Sequence, residues 1–223
     1  MNATAHRGTP AILIMAKEPR PGTVKTRLHP LLGPQRCAEL QAGLIRHTLE
    51  LTTVHAPRTY LAYAPADGGD AIGTTTPAGV RLRLQRGEDL GQRLAAAVTD
   101  AFTDGAGPLL VIGTDAPTLT GDHLTAATAL ESHDVVLGPA LDGGYYLIGL
   151  RAPHTSLFAL DADVWSTDRV RTATLGVARR EGLSVKLLCP LRDLDTPEDA
   201  SALLADPALP APIAALIQPV EGP

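Results

Sequence analysis

Four polar clusters in this 223-residue chain carry side chains of the kind that hold phosphate, a metal ion or a small acid. Residues 17–28 place Lys17, Arg20, Lys25 and Arg27 against one acid, Glu18, on a backbone stiffened by Pro19 and Pro21 and relieved by Gly22. Such a loop offers ammonium and guanidinium donors to nucleotide phosphates through charge-assisted hydrogen bonds. It is not a P-loop, because the GxxxxGK[ST] spacing is absent. In the second cluster, Gly113-Thr114-Asp115-Ala116-Pro117, a carboxylate ends an apolar run, a suitable place for Mg²⁺, which takes one or two carboxylates plus substrate phosphates. Asp also starts turns readily. The third cluster, 193–199, alternates Asp193 and Asp195, so both can point to one side of an extended segment and converge on a metal with Asp115. Thr196-Pro197-Glu198-Asp199 reads equally as an ordinary helix start.

The fourth cluster joins Asp142-Gly143-Gly144-Tyr145 to Trp165-Ser166-Thr167. Gly143 and Gly144 permit close backbone approach to an anion and Asp142 can accept from a hydroxyl, although spacing alone reads as a hairpin turn. Ser166 and Thr167 open a helix, as a cap or as an anion site. Gln92 and Arg93 also sit near a helix start; Gln92 can read a base edge and Arg93 a phosphate, or both can be plain helix-surface residues. The histidines lack the pairings of a metal motif, and Gly-x-Ser-x-Gly is absent. Nucleophilic catalysis is therefore not expected.

These clusters need elements that bring them together. Short apolar runs alternating with helical patterns indicate an α/β domain with a mostly parallel sheet between helical layers. Strands are expected at 10–16, 58–64, 80–84, 109–113, 134–139, 145–150 and 185–188. Helices are expected at 34–53, 89–102, 120–130, 167–180 and 196–204. The stretch 68–79 reads as a Gly/Thr-rich surface connection. The run at 145–150 follows Gly143-Gly144 too closely for a crossover helix, so that strand is expected to be antiparallel and the sheet mixed. The polar clusters then fall at carboxyl ends of strands, where open α/β sheets bind ligands. Residues 1–206 read as one domain and 207–223 as a Pro/Ala-rich tail with one short helix at most.

Composition narrows the partners. A net charge of −5 with 3% aromatics leaves neither the basic surface nor the stacking platform that nucleic acid needs, and no membrane footprint. Yet two of only three lysines, Lys17 and Lys25, lie in the first loop. No apolar run reaches membrane-spanning length, and residues 1–10 lack a signal core. Cys37 and Cys189 read as core packing in a reducing cytoplasm.

The clusters in this order resemble the nucleotide-diphospho-sugar transferase superfamily, with its glycosyltransferase-A-like fold that includes molybdenum-cofactor guanylyltransferases. The matching strings are 16–28, Asp89 to Leu94, Gly113 to Pro117, Gly138 to Leu147, Trp165 to Thr167 and Asp195 to Asp199. Within it the chain looks similar to the branch of small bacterial glycosyltransferase-like proteins often left as a domain of unknown function, also labelled in the context of arsenosugar biosynthesis. Val24 to Leu28 with Pro34-Gln35-Arg36 is also similar to phospholactate guanylyltransferases. That resemblance implies Lys25 and Arg27 on phosphates and Asp115, Asp193 and Asp195 on Mg²⁺. The Gly-rich opening loop usual in nucleotidyltransferases is replaced here by a Pro-containing one, and Asp142 to Tyr145 differs from the loop of the phospholactate enzymes.

The resulting expectation is a cytoplasmic Mg²⁺- or Mn²⁺-dependent nucleotidyltransferase joining an NMP from an NTP to a small phosphate or phosphonate acceptor. Lys25, Arg27 and Asp115 would be catalytic, Lys17, Gly22, Gln92 and Arg93 would assist nucleotide binding, and Asp142, Gly143, Gly144, Ser166 and Thr167 would frame the acceptor. The alternatives are a glycosyltransferase using an NDP-sugar and a non-catalytic nucleotide-binding protein. A homo-oligomer is compatible with the chain; nucleic acid and membrane partners are not expected.

Overall fold

The computed structural model describes residues 10–65 and 69–218. Among them seven strands form one sheet in the order β3-β2-β1-β4-β6-β5-β7. The strands are β1 (Ala11–Lys17), β2 (Thr59–Ala64), β3 (Arg81–Leu84), β4 (Leu109–Ile112), β5 (Val135–Pro139), β6 (Tyr145–Leu150) and β7 (Val185–Leu187). β6 runs antiparallel between β4 and β5 while the other pairings are parallel, so the mixed sheet expected from the short Gly-Gly connection is present.

Helices cover both faces. α1 (His29–His55), α2 (Gly69–Thr75) and α4 (Gly121–Ala126) lie on one side; α3 (Leu90–Thr103) and α5 (Val170–Arg180) lie on the other. Alternate strand residues feed the two cores: Leu13, Val111 and Ile148 face α3 and α5, while Ile12, Ile14 and Ile112 face α1 and α4. α1 contains a break at Gly33 (φ 72°) before Pro34, which is where sequence places the helix start. α6 (Pro197–Leu204) opens on a Thr196–Asp199 capping box.

Three expectations need correction. Residues 69–75 form α2 rather than a loop, because Ile72 is buried under the sheet and anchors a turn whose composition is otherwise loop-like; residue 68 lies outside the described residues. The segment after 206 holds the one short helix allowed for it, but packed rather than trailing: α7 (Ala211–Ile217) buries Ile213 and Ile217 against Leu40 and Leu44 of α1. The expectations for residues 1–9 and 219–223 fall outside the described residues. Cys37 is buried as expected, but Cys189 is exposed, because the chain has left β7 for the loop toward the carboxylates. No described helix is long and apolar enough to cross a membrane.

Candidate active site

The carboxyl ends of β1 and β4, the β5–β6 hairpin and the loop before α6 surround a cleft of about 620 Å³. Lys25 is its central cation. Its side chain is only 4% exposed, and its ammonium donates to Asp115 Oδ1 at 2.5 Å, to Leu194 O at 2.7 Å and to Asp195 Oδ1 at 3.0 Å. Burial alone would depress its pKa, but the Asp115 and Asp195 carboxylates outweigh that cost and hold it above the ordinary lysine value. The β1 loop thus reaches the loop before α6, and the Leu194 amide completes the junction by donating to Asp115 O at 2.7 Å.

Lys25 adopts a left-handed backbone (φ 49°, ψ 39°), which a non-glycine residue reaches only when its surroundings impose it. Among the described non-glycine residues Ser166 alone shares a positive φ, 64°. Both line the cleft. Backbone strain in the described chain is therefore concentrated where the polar clusters meet.

Asp115, Asp193 and Asp195 all line the cleft, but they do not form a ready metal cage. Among the described residues no three His, Cys, Asp or Glu side chains are gathered to hold an ion as they stand. The reason is Lys25, which occupies the space between Asp115 and Asp195. Asp193 is different: its Oδ1 is buried without a hydrogen-bond partner. Burial, reinforced by Asp115, Asp142 and Asp195, pushes its pKa up to about 8. An orphaned carboxylate oxygen amid three further carboxylates fits a hard divalent cation, for which one or two carboxylates plus phosphate oxygens suffice.

Behind Asp115 lies a support that sequence reading missed. Gln41, on the otherwise apolar face of α1 between Leu40 and Leu44, donates its amide to Thr114 Oγ1 at 3.3 Å and to Lys17 O at 3.4 Å. Thr114 in turn donates to Asp115 Oδ1 at 3.4 Å. The available signal was a glutamine four residues after Cys37 and four before Ile45, in a buried helical stripe. Gln85, equally missed, ties the ends of β1 and β2 by donating to Ala16 O and Ala62 O.

The far wall is built from the hairpin and the segment before α5. Asp142 Oδ1 accepts from the Gly144 amide at 2.8 Å, so Asp142, besides lining the cleft, shapes its own turn. Gly143 (φ +95°) does not line the cleft: a Cβ there would lie 2.3 Å from Asp168 O. The position is closely packed, and the Arg171 amide donates to Gly143 O. Gly91 plays the same part for Trp165, whose Nε1 would lie 2.7 Å from a Cβ.

Of the residues expected from sequence, Lys17, Lys25, Arg27, Arg93, Asp115, Asp142, Gly144, Ser166, Thr167, Asp193 and Asp195 share the cleft. Gly22, Gln92 and Gly143 are not brought to it. Gln92 is spent on the start of α3, accepting from the Glu88 amide and donating to Asp89. Arg93 braces the same loop through Gly87 O. Arg27 makes no hydrogen bond or ion pair among the described residues.

Comparisons with known proteins agree with this architecture. The family model described as "Uncharacterized protein conserved in bacteria (DUF2064)" matches residues 48–167. That span holds Asp115, Asp142 and Trp165; Lys25, Asp193 and Asp195 lie outside it. A phosphoenolpyruvate guanylyltransferase of Sphaerobacter thermophilus is 29% identical over 187 residues, covering 82% of this chain and 88% of that protein. A Desulfovibrio desulfuricans G20 structure described as a nucleotide-diphospho-sugar transferase superposes with a TM-score of 0.83 at 30% identity, over 94% of this chain and 97% of the other. At 11% identity, 4-diphosphocytidyl-2C-methyl-D-erythritol synthase from Anaerococcus prevotii shares the fold, with a TM-score of 0.58 over 89% and 96% of the two chains.

Proposed function

This chain is a transferase of the DUF2064 family, and we propose that it transfers a nucleotidyl group from an NTP to a small phosphate or phosphonate acceptor. The observation that carries the proposal is the Lys25 ammonium, buried in the cleft between Asp115 and Asp195, with Arg27, which pairs with no described residue, lining the same cleft. The relative that acts as a guanylyltransferase supports the same reaction class.

In this reaction an acceptor oxygen bonds to the α-phosphorus, the bond to the β-phosphate bridging oxygen breaks, and pyrophosphate leaves with that electron pair. A phosphate or phosphonate oxygen is already anionic near pH 7, so no general base is needed, in keeping with a described lining that contains no histidine. Lys25 and Arg27, with Lys17, would neutralise charge developing on the leaving pyrophosphate. Asp115, Asp193 and Asp195 would hold Mg²⁺ or Mn²⁺, whose chemistry is to screen the phosphate oxygens from one another. Ser166, Thr167 and Gly144 would frame the acceptor, and the protein's task is positioning rather than covalent chemistry.

The test is pyrophosphate release from each of the four NTPs with Mg²⁺ and candidate acceptors, phosphoenolpyruvate among them. Acceptor-dependent release from at least one NTP is expected; its absence across the panel, with nucleoside diphosphate released from an NDP-sugar instead, would replace the assignment. That second reading, sugar transfer, is favoured by the 30% identical structure described as a nucleotide-diphospho-sugar transferase.

A further inference from the structure

The Lys25 ammonium has three protons, and its bonds to Asp115 Oδ1, Leu194 O and Asp195 Oδ1 use all of them. As it stands it has none left for a phosphate oxygen, although it lines the cleft. The two carboxylates are committed in the same way. Both Oδ1 atoms lie within 3.0 Å of the ammonium nitrogen. An ion bridging them from that side at about 2.0–2.1 Å, the distance Mg²⁺ demands, would fall inside the ammonium's own contact distance. A lysine and a divalent cation therefore compete for one place. Asp115 and Asp195 keep 45% and 37% side-chain exposure, so that place can be reached from the cleft, while the Lys25 side chain is 4% exposed. Asp193, whose Oδ1 is buried without a partner, is close enough to feel Asp115, Asp195 and Lys25.

We propose that Lys25 is a resident cation, holding Asp115 and Asp195 in the metal-free chain and giving them up to a divalent ion. Its release turns Lys25 from a carboxylate partner into a phosphate donor. The exchange rests on the reading that Asp115, Asp193 and Asp195 are metal ligands, and it adds an order of events to that reading. Two cations in one place repel, so Lys25 leaves as the carboxylates change partner, and its protons reach a phosphate only then. A nucleotide phosphate that accepts the freed ammonium favours the same exchange, so nucleotide and metal each strengthen the binding of the other. Arg27, which makes no bond to a described residue, needs no such release and serves phosphate in either state.

Mn²⁺ is the probe, added to the full chain without nucleotide, with its free fraction read by electron paramagnetic resonance. Lys25→Met keeps the length of the side chain and removes the ammonium. Arg27→Met removes an equal charge from the same cleft without vacating the place between the carboxylates. Lys25→Met is expected to bind Mn²⁺ at least about tenfold more tightly than wild type, and Arg27→Met within about threefold of wild type. Equal tightening in both variants would leave only general charge and overturn the exchange, as would a Lys25→Met variant that binds no more tightly than wild type. A second measurement needs no variant. The chain has three lysines; Lys17 and Lys186 are exposed, and Lys186 lies away from the cleft. Acetic anhydride labelling resolved by peptide mass therefore reads Lys25 against Lys186. Lys25 is expected to be protected in chelator-treated wild type and to label severalfold faster once Mn²⁺ is bound, with Lys186 unchanged. Continued protection of Lys25 with Mn²⁺ bound would overturn the exchange. Pyrophosphate release separates the two ideas: release from an NTP with Lys25 still protected in the Mn²⁺-bound chain ends the exchange alone, whereas Lys25 release by Mn²⁺ without pyrophosphate from any NTP ends the nucleotidyl reading alone.

Discussion

The side-chain amide of Gln41 lies 3.3 Å from the hydroxyl of Thr114, and the same nitrogen reaches the Lys17 carbonyl at 3.4 Å. An oxygen that accepts from Gln41 has its own proton free to give onward, and Asp115 Oδ1 is where it goes. One buried amide therefore ties the end of β1 to the carboxylate at the end of β4. Gln41→Leu keeps the volume and removes the donor. It is expected to cost about 1–2 kcal/mol of stability by orphaning buried acceptors. If Asp115 holds a metal, the Mg²⁺ concentration for half-maximal turnover should rise severalfold with little change in KM for the nucleotide. A Mg²⁺ titration of initial rates decides it, and an unchanged half-saturation value would reduce Gln41 to a packing residue.

Lys25→Ala removes the cation between Asp115 and Asp195. Turnover should fall about a hundredfold to a thousandfold, the scale seen when one preorganised charge-stabilising donor is lost. Both carboxylates retain solvent access, at 45% and 37% side-chain exposure, so the fold should survive. Circular dichroism melts run beside the pyrophosphate assay distinguish lost chemistry from lost structure.

Gly143 and Gly22 both have positive φ but differ in what surrounds them. At Gly22 (φ +83°) a Cβ would meet nothing within 4 Å; at Gly143 it would strike the Asp168 backbone. Gly22→Ala should therefore cost only backbone strain, about 1 kcal/mol. Gly143→Ala should push the Ser166–Asp168 segment away and raise the acceptor KM severalfold while leaving nucleotide affinity unchanged. Similar kinetic effects from the two substitutions would contradict this distinction.

Asp134 joins the starts of β5 and β7. The Ser184 hydroxyl, its amide and the Arg151 guanidinium all donate to its carboxylate and hold its pKa below the usual range. A depressed folded pKa gives stability that is complete above the unfolded value, near 3.9, and lost as pH falls through the folded one. At pH 7, Asp134→Ala should cost about 1–2 kcal/mol. The gap between variant and wild type in urea melts should narrow below about pH 4. A gap that does not change between pH 7 and pH 3 would exclude the linkage.

Ile213→Ala tests whether α7 belongs to the core. The side chain is 1% exposed against α1, so deleting it should cost about 2–4 kcal/mol. A cost under about 0.5 kcal/mol in urea denaturation would return this segment to the status of a surface appendage.

Much of the fold was legible because its signals are local. The apolar runs at 109–112 and 135–139 are buried on both faces and so have no competing reading, and the Gly143-Gly144 connection is too short for anything but an antiparallel return. The cation loop and the three aspartates were visible as residue types at strand ends, and the cleft gathers them. Only the tertiary structure decided how they meet. That Lys25 separates Asp115 from Asp195 depends on two loops 170 residues apart in sequence, and no periodicity encodes a contact of that range. Gly143 lies off the cleft with Asp168 packed against it, and the Gln92 side chain bonds to the start of its own helix, placements that spacing alone does not reveal. Ile72, Ile213 and Ile217 drew helices out of Gly-, Thr-, Pro- and Ala-rich segments because a neighbouring face was available to bury them. Sequence by itself determined the chemical inventory and the strand ends that carry it. Which group faces which is set by long-range burial, whose free energy belongs to the assembled sheet and helices and to no single segment.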